Sequence, residues 1–274
     1  MDLYTAVAYD LSKELTSRYS SSFSLASKLY ARELRPHIYA LYGMVRLADE
    51  IVDTYNGTDK AALLNDFQAV VKEGIHNGYS TNPIVHAFAL TARQYAINDD
   101  LIDPFFDSMR MDLTLTRFTE TEYTTYIFGS AEVIGLMCLK IFCRDTNASY
   151  ESLAPGARQL GSAYQKINFL RDIRDDYEQR GRFYFPNLTY ESLDDSAKEQ
   201  IVADIRLDLE VASESISHLP SGAKRAVGVS YRYYSTLLKK LDATSSDGIK
   251  QQRAHVASSY KIWLYVRARL SGRE

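Results

Sequence analysis

Apolar residues recur at three- and four-residue spacing along nearly the whole chain, with polar positions between them, and that period lets a helix bury one stripe of its surface. The spacing predicts helices over about 4–28, 37–55, 59–73, 83–95, 99–114, 120–142, 155–178, 196–217 and 222–241, and a last helix ending near Leu270. The first is interrupted by Ser20-Ser21-Ser22 before Phe23. Serine hydroxyls there suit a helix entry or a phosphate contact. Pro36 stands near the start of the second helix, where a missing amide hydrogen matters least, and Asn56-Gly57 closes it. Gly129 and Gly135 fall inside the apolar stretch from Tyr126 to Met137. Glycine weakens a helix interior relative to alanine, so a kink or a close approach to a substrate is expected there.

No segment shows strand alternation between hairpin turns, and no Gly-x-Gly-x-x-Gly follows a candidate strand. The expected fold class is all-α, a helical bundle. One domain over residues 1–274 is expected, because there is no Pro/Gly/Ser-rich linker, low-complexity tract or solenoid-like repeat, and only 13 Gly and 6 Pro interrupt the chain.

Charge and cysteine content narrow the function classes. A net charge of −3 with mixed signs offers no broad basic footprint, which argues against a nucleic-acid partner. Cys138 and Cys143 are too few and too close for a secreted disulfide framework and read as reduced core cysteines. Met1-Asp2-Leu3-Tyr4 carries no charged-then-apolar signal pattern, and no uninterrupted apolar run of about 18 residues is present. A cytoplasmic protein is expected, with any membrane contact peripheral, at the inner membrane surface.

The chemistry lies in two acidic clusters, Asp49-Glu50-Ile51-Val52-Asp53 and Asn168-Phe169-Leu170-Arg171-Asp172-Ile173-Arg174-Asp175-Asp176. On a helix, Asp49 and Asp53 differ by roughly 40° around the axis and roughly 6 Å along it, and Asn168, Asp172 and Asp176 repeat this over two turns. Oxygen ligands so presented suit Mg²⁺, which takes one or two carboxylates and completes its shell with water and phosphate oxygens. A single such cluster more often marks a solvated face. Asp49 and Asp53, however, are embedded among Leu47, Ala48, Ile51 and Val52, and a carboxylate in apolar surroundings needs a metal or a cationic partner. Arg46, Arg171, Arg180 and Arg182 flank the clusters, and guanidinium forks match phosphate oxygens. Cleavage of an allylic carbon–oxygen bond leaves a diphosphate, which metals and arginines stabilise, and a carbocation, which aromatic faces stabilise without attacking. Phe23, Tyr39, Tyr42 and Tyr126 are the candidates for that task among 21 Tyr and 11 Phe, with plain packing as the competing role.

At these residues the chain resembles the squalene/phytoene synthase family, the head-to-head branch of the trans-isoprenyl diphosphate synthases. The resemblance runs nearly end to end. It covers Ser20-Ser21-Ser22-Phe23, Tyr39-Ala40-Leu41-Tyr42, the first acidic cluster with Arg46, Met109-Arg110-Met111-Asp112-Leu113, Gly135-Leu136-Met137, the second acidic cluster, and Gly181-Arg182-Phe183-Tyr184-Phe185-Pro186. It implies an all-α isoprenoid-synthase bundle with a central cavity, and condensation of two identical prenyl diphosphates through a cyclopropylcarbinyl diphosphate. Carried over by position, Asp49, Asp53, Asp172 and Asp176 are metal ligands, with Asn168 assisting. Ser20, Ser22, Arg46, Arg171 and Arg267 contact diphosphate, and Tyr126 and Asp112 are further transfers. Mg²⁺ is the implied metal, with Mn²⁺ able to substitute.

The resemblance is closest in style to bacterial phytoene synthases, which act on geranylgeranyl diphosphate, and NADPH is not expected. A squalene or dehydrosqualene synthase using farnesyl diphosphate is the alternative, and a non-catalytic family member a third. Ser27, one turn after Phe23, is expected to leave room for the longer chain. Gly129-Ser130-Ala131-Glu132 departs from the Val-Ala-Gly type sequence of many relatives and puts an acid in an apolar helix. The segment from Lys261 to Arg269 reads as a packed terminal helix in preference to a membrane-binding one, because its apolar positions suit a core.

Overall fold

The stripes become helices, and each buries its stripe against a neighbour. The computed structural model describes residues 1–270; positions 271–274 of the expected domain lie outside the described residues. In chain order the helices are α1 (Leu3–Tyr19), α2 (Ser21–Ser27), α3 (Arg35–Asp49), α4 (Lys60–Asn77), α5 (Pro83–Tyr95), α6 (Asp99–Thr114), α7 (Glu120–Ile127), α8 (Val133–Cys143), α9 (Tyr150–Arg180), α10 (Asp195–Ser217), α11 (Ser221–Asp242), α12 (Ser246–Gln251) and α13 (Ser258–Leu270). Two π-helical segments, Glu50–Thr54 and Phe128–Glu132, follow α3 and α7. Among the described residues no strand forms, only an isolated bridge between Arg117 and Phe183.

Local chemistry sets the boundaries. Asp2 accepts the Thr5 amide to open α1, Asn82 accepts those of Ile84 and Val85 to open α5, and Thr119 and Glu122 form a capping box on α7. Ser149 caps α9, so that helix starts at Tyr150 and carries Pro155 inside it, five positions earlier than the proline suggested. Proline at this sixth helical position forgoes one i−4 hydrogen bond, to the Glu151 carbonyl.

The long helix α9 is the axis of the bundle, packed by α8, α10 and α11. On one side lies a core built around Ile38, Leu41, Met44, Phe88, Phe105 and Met137. On the other, Ile167, Phe169, Leu170, Tyr184, Ile205 and Leu237 form a second cluster. Leu160, Tyr233 and Tyr260 pack against both, so the apolar interior is continuous. The run Glu120–Cys143 is long and apolar enough by composition to cross a bilayer, but most of it is buried within the bundle, as expected for a core helix.

The two glycines of that run serve helix packing. A Cβ on Gly129 would stand 2.2 Å from the carbonyl oxygen of Pro104, and one on Gly135 would stand 2.5 Å from that of Ala157. Gly161 meets the Ala131 carbonyl in the same way, at 2.5 Å. The π segment is the expected kink. Gly129→Ala is expected to cost about 3 kcal/mol, because backbone atoms of α6 cannot swing aside as a side chain can. The thermal midpoint should fall by several degrees; an unchanged midpoint would mean that α6 and the π segment part without penalty.

Candidate active site

The site is assembled from the C-terminal end of α3, the middle of α9 and the segments that close over them. Helix α3 buries Ile38, Leu41, Met44 and Ala48, which leaves Tyr42, Val45, Arg46 and Asp49 for its other side. Asp49 is its last α-helical residue. The wider π turn that follows is closed by the Tyr55 amide on the Glu50 carbonyl at 2.9 Å, and it keeps Val52 buried while Asp53 is a third exposed. Helix α9 buries Ile167, Leu170 and Ile173 and so turns Asn168, Arg171, Asp172 and Asp176 elsewhere. It ends at Gly181, whose φ of 65° is the left-handed conformation glycine adopts without strain. That turn sends the Arg182 amide back to the Asp176 carbonyl at 3.0 Å and aims its guanidinium beneath the acidic residues.

Arginines join the two clusters. Arg180 lies 3.5 Å from Asp53 and 3.1 Å from Asp176, while Arg182 lies 3.5 Å from both Asp53 and Asp112. Arg171 forks onto Asp172 at 2.9 and 2.5 Å, and Arg253 reaches the same carboxylate at 2.5 Å. Arg46 is paired with Glu50, lies 3.9 Å from Asp49, and covers the Tyr19 ring.

The electrostatics are uneven. Burial pushes the Asp49 carboxyl up to about 7; Arg46 opposes this, while Asp53, Asp112 and Glu50 add to it. Burial also raises Asp176 to about 6, with Asp172 adding repulsion. Burial alone would raise Asp172 as well, but Arg171 and Arg253 outweigh it and hold that carboxyl below its ordinary value. Negative charge at Asp49 and Asp176 is thus under-compensated by protein groups, which is a demand for a cation.

Beside this acidic mouth lies a cavity of about 430 Å³. Its lining includes the polar Ser20, Ser22, Gln165, Asn168, Arg171 and Lys261 and the apolar or aromatic Phe23, Tyr42, Ile134, Cys138, Leu160 and Val227. Ser20 caps α2 by accepting the Phe23 amide at 3.2 Å, which is the helix-entry role expected of the serine cluster, and it also lines the cavity. Phe23 stacks on Tyr42 with ring centroids 5.1 Å apart, and Tyr164 on Tyr234 at 3.8 Å. Burial pushes the Cys138 thiol up to about 12, which keeps it a neutral wall residue.

The donor set fits a hard divalent cation. Its atoms are carboxylate oxygens plus Asn168 Oδ1, which is buried without a hydrogen-bond partner. Among the described residues no three His, Cys, Asp or Glu groups already converge on one point, because these carboxylates face arginines. That suits a metal sharing its shell with water and phosphate oxygens.

The structure brings together Ser20, Ser22, Phe23, Tyr42, Asn168 and Arg171 in the cavity lining, pairs the lining Arg171 with Asp172, and joins Asp53 to Asp176 through Arg180 and Arg46 to Asp49. Four other expectations are placed differently. Arg267 lies on the exposed side of α13 over Trp263, and Arg253, from the loop before α13, reaches the acidic residues instead. Tyr126 is outside the cavity lining; its hydroxyl donates to Asp112 at 2.7 Å in a buried group with Tyr184 and Arg182. Tyr39 is buried but outside the lining. Ser27 is fully buried with its hydroxyl unpartnered, and Ala26 faces the cavity in its stead. Glu132 is neutralised by Arg158 at 2.6 Å, which accounts for an acid in an apolar helix.

A squalene/phytoene synthase family model matches residues 16–259. The chain is 28% identical to phytoene synthase 1, chloroplastic, of Solanum lycopersicum over 274 residues, covering 93% of this chain and 66% of the relative. It therefore spans about two thirds of that relative's length. The fold is similar to that of the squalene synthase HpnC from Alicyclobacillus acidocaldarius, with a TM-score of 0.78, 20% identity, and coverage of 89% and 96% of the two chains. It is equally similar to a dehydrosqualene synthase solved in complex with ligand, with a TM-score of 0.77, 18% identity and 98% of both chains covered. The chain belongs to the squalene/phytoene synthase family.

Proposed function

We propose that this protein is a prenyltransferase that joins two identical prenyl diphosphates head to head, two geranylgeranyl diphosphates giving phytoene by way of a cyclopropylcarbinyl diphosphate. The observation that carries this reading is an apolar, aromatic-walled cavity whose lining residue Arg171 is paired with Asp172, next to which Arg180 bridges Asp53 of the first acidic cluster and Asp176 of the second. The likeness to phytoene synthases supports the C40 product.

Asp49, Asp53, Asn168, Asp172 and Asp176 would hold Mg²⁺, or Mn²⁺ in its place, which when bound neutralises the diphosphate and improves it as a leaving group. Arg46, Arg171 and Arg253 supply guanidinium forks for diphosphate oxygens, drawing on contacts they now make to Glu50 and Asp172. The allylic carbon–oxygen bond breaks with its electron pair leaving on the diphosphate, the C2–C3 double bond of the second substrate attacks the cation, and the resulting C3 cation loses a proton as the cyclopropane closes; departure of the second diphosphate then lets that ring open and rearrange. Phe23, Tyr42, Tyr164 and Tyr234 present ring faces to that charge and exclude the water that would quench it. NADPH has no part in this reading, since loss of a proton completes the triene.

A second reading, farnesyl diphosphate giving a C30 hydrocarbon, is favoured by one observation. Ser27 is walled off from the cavity, so the extra room expected of it is absent. Purified protein incubated with Mg²⁺ and either substrate, with and without NADPH, should yield a C40 triene without reductant. A predominantly C30 product would select the second reading, and no diphosphate release would overturn both. Ala26→Phe is expected to depress geranylgeranyl turnover about tenfold relative to farnesyl turnover by filling the wall beside Tyr30 and Phe142; equal effects on both substrates would remove α2 from length selection.

A further inference from the structure

A second pocket, of about 450 Å³, shares only Tyr30 with the cavity lining. Lys28, Arg35, Arg225 and Arg269 line it, and no Asp or Glu does. They come from the end of α2, the start of α3, the second turn of α11 and the last turn of α13. Arg35 Nε donates to the Tyr30 carbonyl at 2.8 Å, and Arg269 to the Tyr265 hydroxyl at 2.7 Å. Among the described residues none of the four takes part in an ion pair with a carboxylate. By contrast, Arg46, Arg171, Arg180, Arg182 and Arg253 at the acidic clusters each hold one.

Two helix starts add to the positive potential. Helix α3 begins at Arg35 and α11 at Ser221, neither capped by a side chain. Ala31, in the pocket wall, donates its amide to the Gly222 carbonyl at 2.8 Å and holds the start of α11 there. Uncapped first turns carry free amide hydrogens and the positive end of the helix dipole. Cations gathered without counter-charge repel one another, in a chain whose net charge is −3. An anion with charge spread over two phosphoryl groups satisfies several such donors at once.

We propose that this pocket binds a diphosphate group, and that its occupant is the inorganic diphosphate released by the reaction, which there slows further turnover. The choice of occupant and the feedback rest on the prenyl diphosphate reading; the affinity for diphosphate does not. The path to the cavity is short. Tyr30 walls both spaces and stacks on the cavity residue Phe142 with ring centroids 5.3 Å apart. Its carbonyl is the group that Arg35 holds. A diphosphate that draws the Arg35 guanidinium onto its own oxygens takes that hydrogen bond from the Tyr30 backbone and loosens the aromatic wall of the cavity.

Binding is measured by calorimetry on the whole protein in EDTA, so that no metal recruits diphosphate to the acidic clusters. Inorganic diphosphate should occupy one site, orthophosphate should bind about tenfold more weakly or worse, and salt should weaken both. The double variant Lys28→Gln/Arg225→Gln should lose about tenfold or more in affinity, while Arg171→Gln should bind as the parent does. Lys28 and Arg225 are exposed, and a matched thermal midpoint would show that the double variant folds. With Mg²⁺ and saturating prenyl diphosphate, added inorganic diphosphate should lower kcat. The double variant should match the parent without added diphosphate and resist its effect. No binding in EDTA, equal affinity for orthophosphate, an unaffected double variant, or binding lost in Arg171→Gln would overturn the site. Inhibition abolished by excess substrate, or undiminished in the double variant, would overturn the feedback. Tighter binding of adenosine diphosphate than of inorganic diphosphate would overturn the choice of occupant in favour of a nucleotide. A protein inactive on prenyl diphosphates that binds diphosphate through Lys28 and Arg225 would sink the catalytic reading and leave the site standing. An active protein without that binding would do the reverse.

Discussion

Asp49→Asn is expected to reduce turnover by about 10²- to 10³-fold and, in the same protein without metal, to raise the thermal midpoint at pH 8. The opposed directions follow from one cause. The Asp49 side chain is 32% exposed, yet burial and the nearby Asp53, Asp112 and Glu50 push its carboxyl up to about 7. At pH 8 it is ionised in the folded protein against both desolvation and like charge, a cost absent from the unfolded chain. Asparagine keeps the shape and removes the charge. Discounting for solvent access, the gain is about 1 kcal/mol. It should vanish near pH 4, where the folded carboxyl is protonated. A cation placed among these oxygens turns the same repulsion into attraction, which the amide forgoes; strain of this kind is typical of functional sites. Diphosphate release and thermal melts with and without Mg²⁺ test both halves. Normal turnover would remove Asp49 from the metal set, and loss of both turnover and midpoint would make it structural.

Asp112→Ala carries the largest expected loss of stability, about 3–5 kcal/mol. Asp112 is buried and accepts from the Tyr126 hydroxyl at 2.7 Å and the Tyr184 hydroxyl at 3.1 Å, and Arg182 lies 3.5 Å from its carboxylate. Removing it takes the shared acceptor from two buried phenols and leaves a guanidinium only 11% exposed with half its charge compensation. Breaking one side of a buried pair is penalised far more than the pair is worth. Chemical denaturation should show the loss, and adding Tyr126→Phe should cost much less on the Asp112→Ala background than alone, because the two share a hydrogen bond. A loss below about 1 kcal/mol would mean that water replaces the carboxylate. Arg182 also reaches Asp53, so turnover should fall with stability, unlike in Asp49→Asn.

Helix periodicity was legible throughout, and most predicted boundaries fall close to those observed. Helix α9 starts five residues before the expected 155, because the Ser149 side chain accepts the Ser152 amide and caps it there. The glycines signalled a kink near Gly129 but not its π form, and nothing signalled the π turn of Glu50–Thr54. Each is a single wide turn whose cost is repaid by packing at a distance, as where Gly129 meets the Pro104 backbone. The serine cluster, Phe23, Tyr42, Asp49, Asp53, Asn168, Asp172, Asp176 and their neighbouring arginines could be chosen from spacing and resemblance, because they lie within a few turns of each other on or just after α2, α3 and α9. Arg253 could not, since it lies in a loop 81 positions from Asp172 with no pattern of its own. Ser27 and Ala26 are adjacent, and about 100° of helical rotation decides which one meets the cavity.

Sequence by itself determined the helical class and the four-residue carboxylate interval on two separate helices, because both are properties of consecutive residues along one helix axis. Only the tertiary structure decided that the clusters face each other through Arg180 and Arg182, that Arg253 reaches Asp172 while Arg267 lies over Trp263, and that Tyr126 supports Asp112 outside the cavity lining. Those outcomes depend on how helices rotate and cross when their apolar stripes are buried together. A few tens of degrees of rotation about one axis exchange a cavity residue for a core residue, and no spacing within a single helix records that angle.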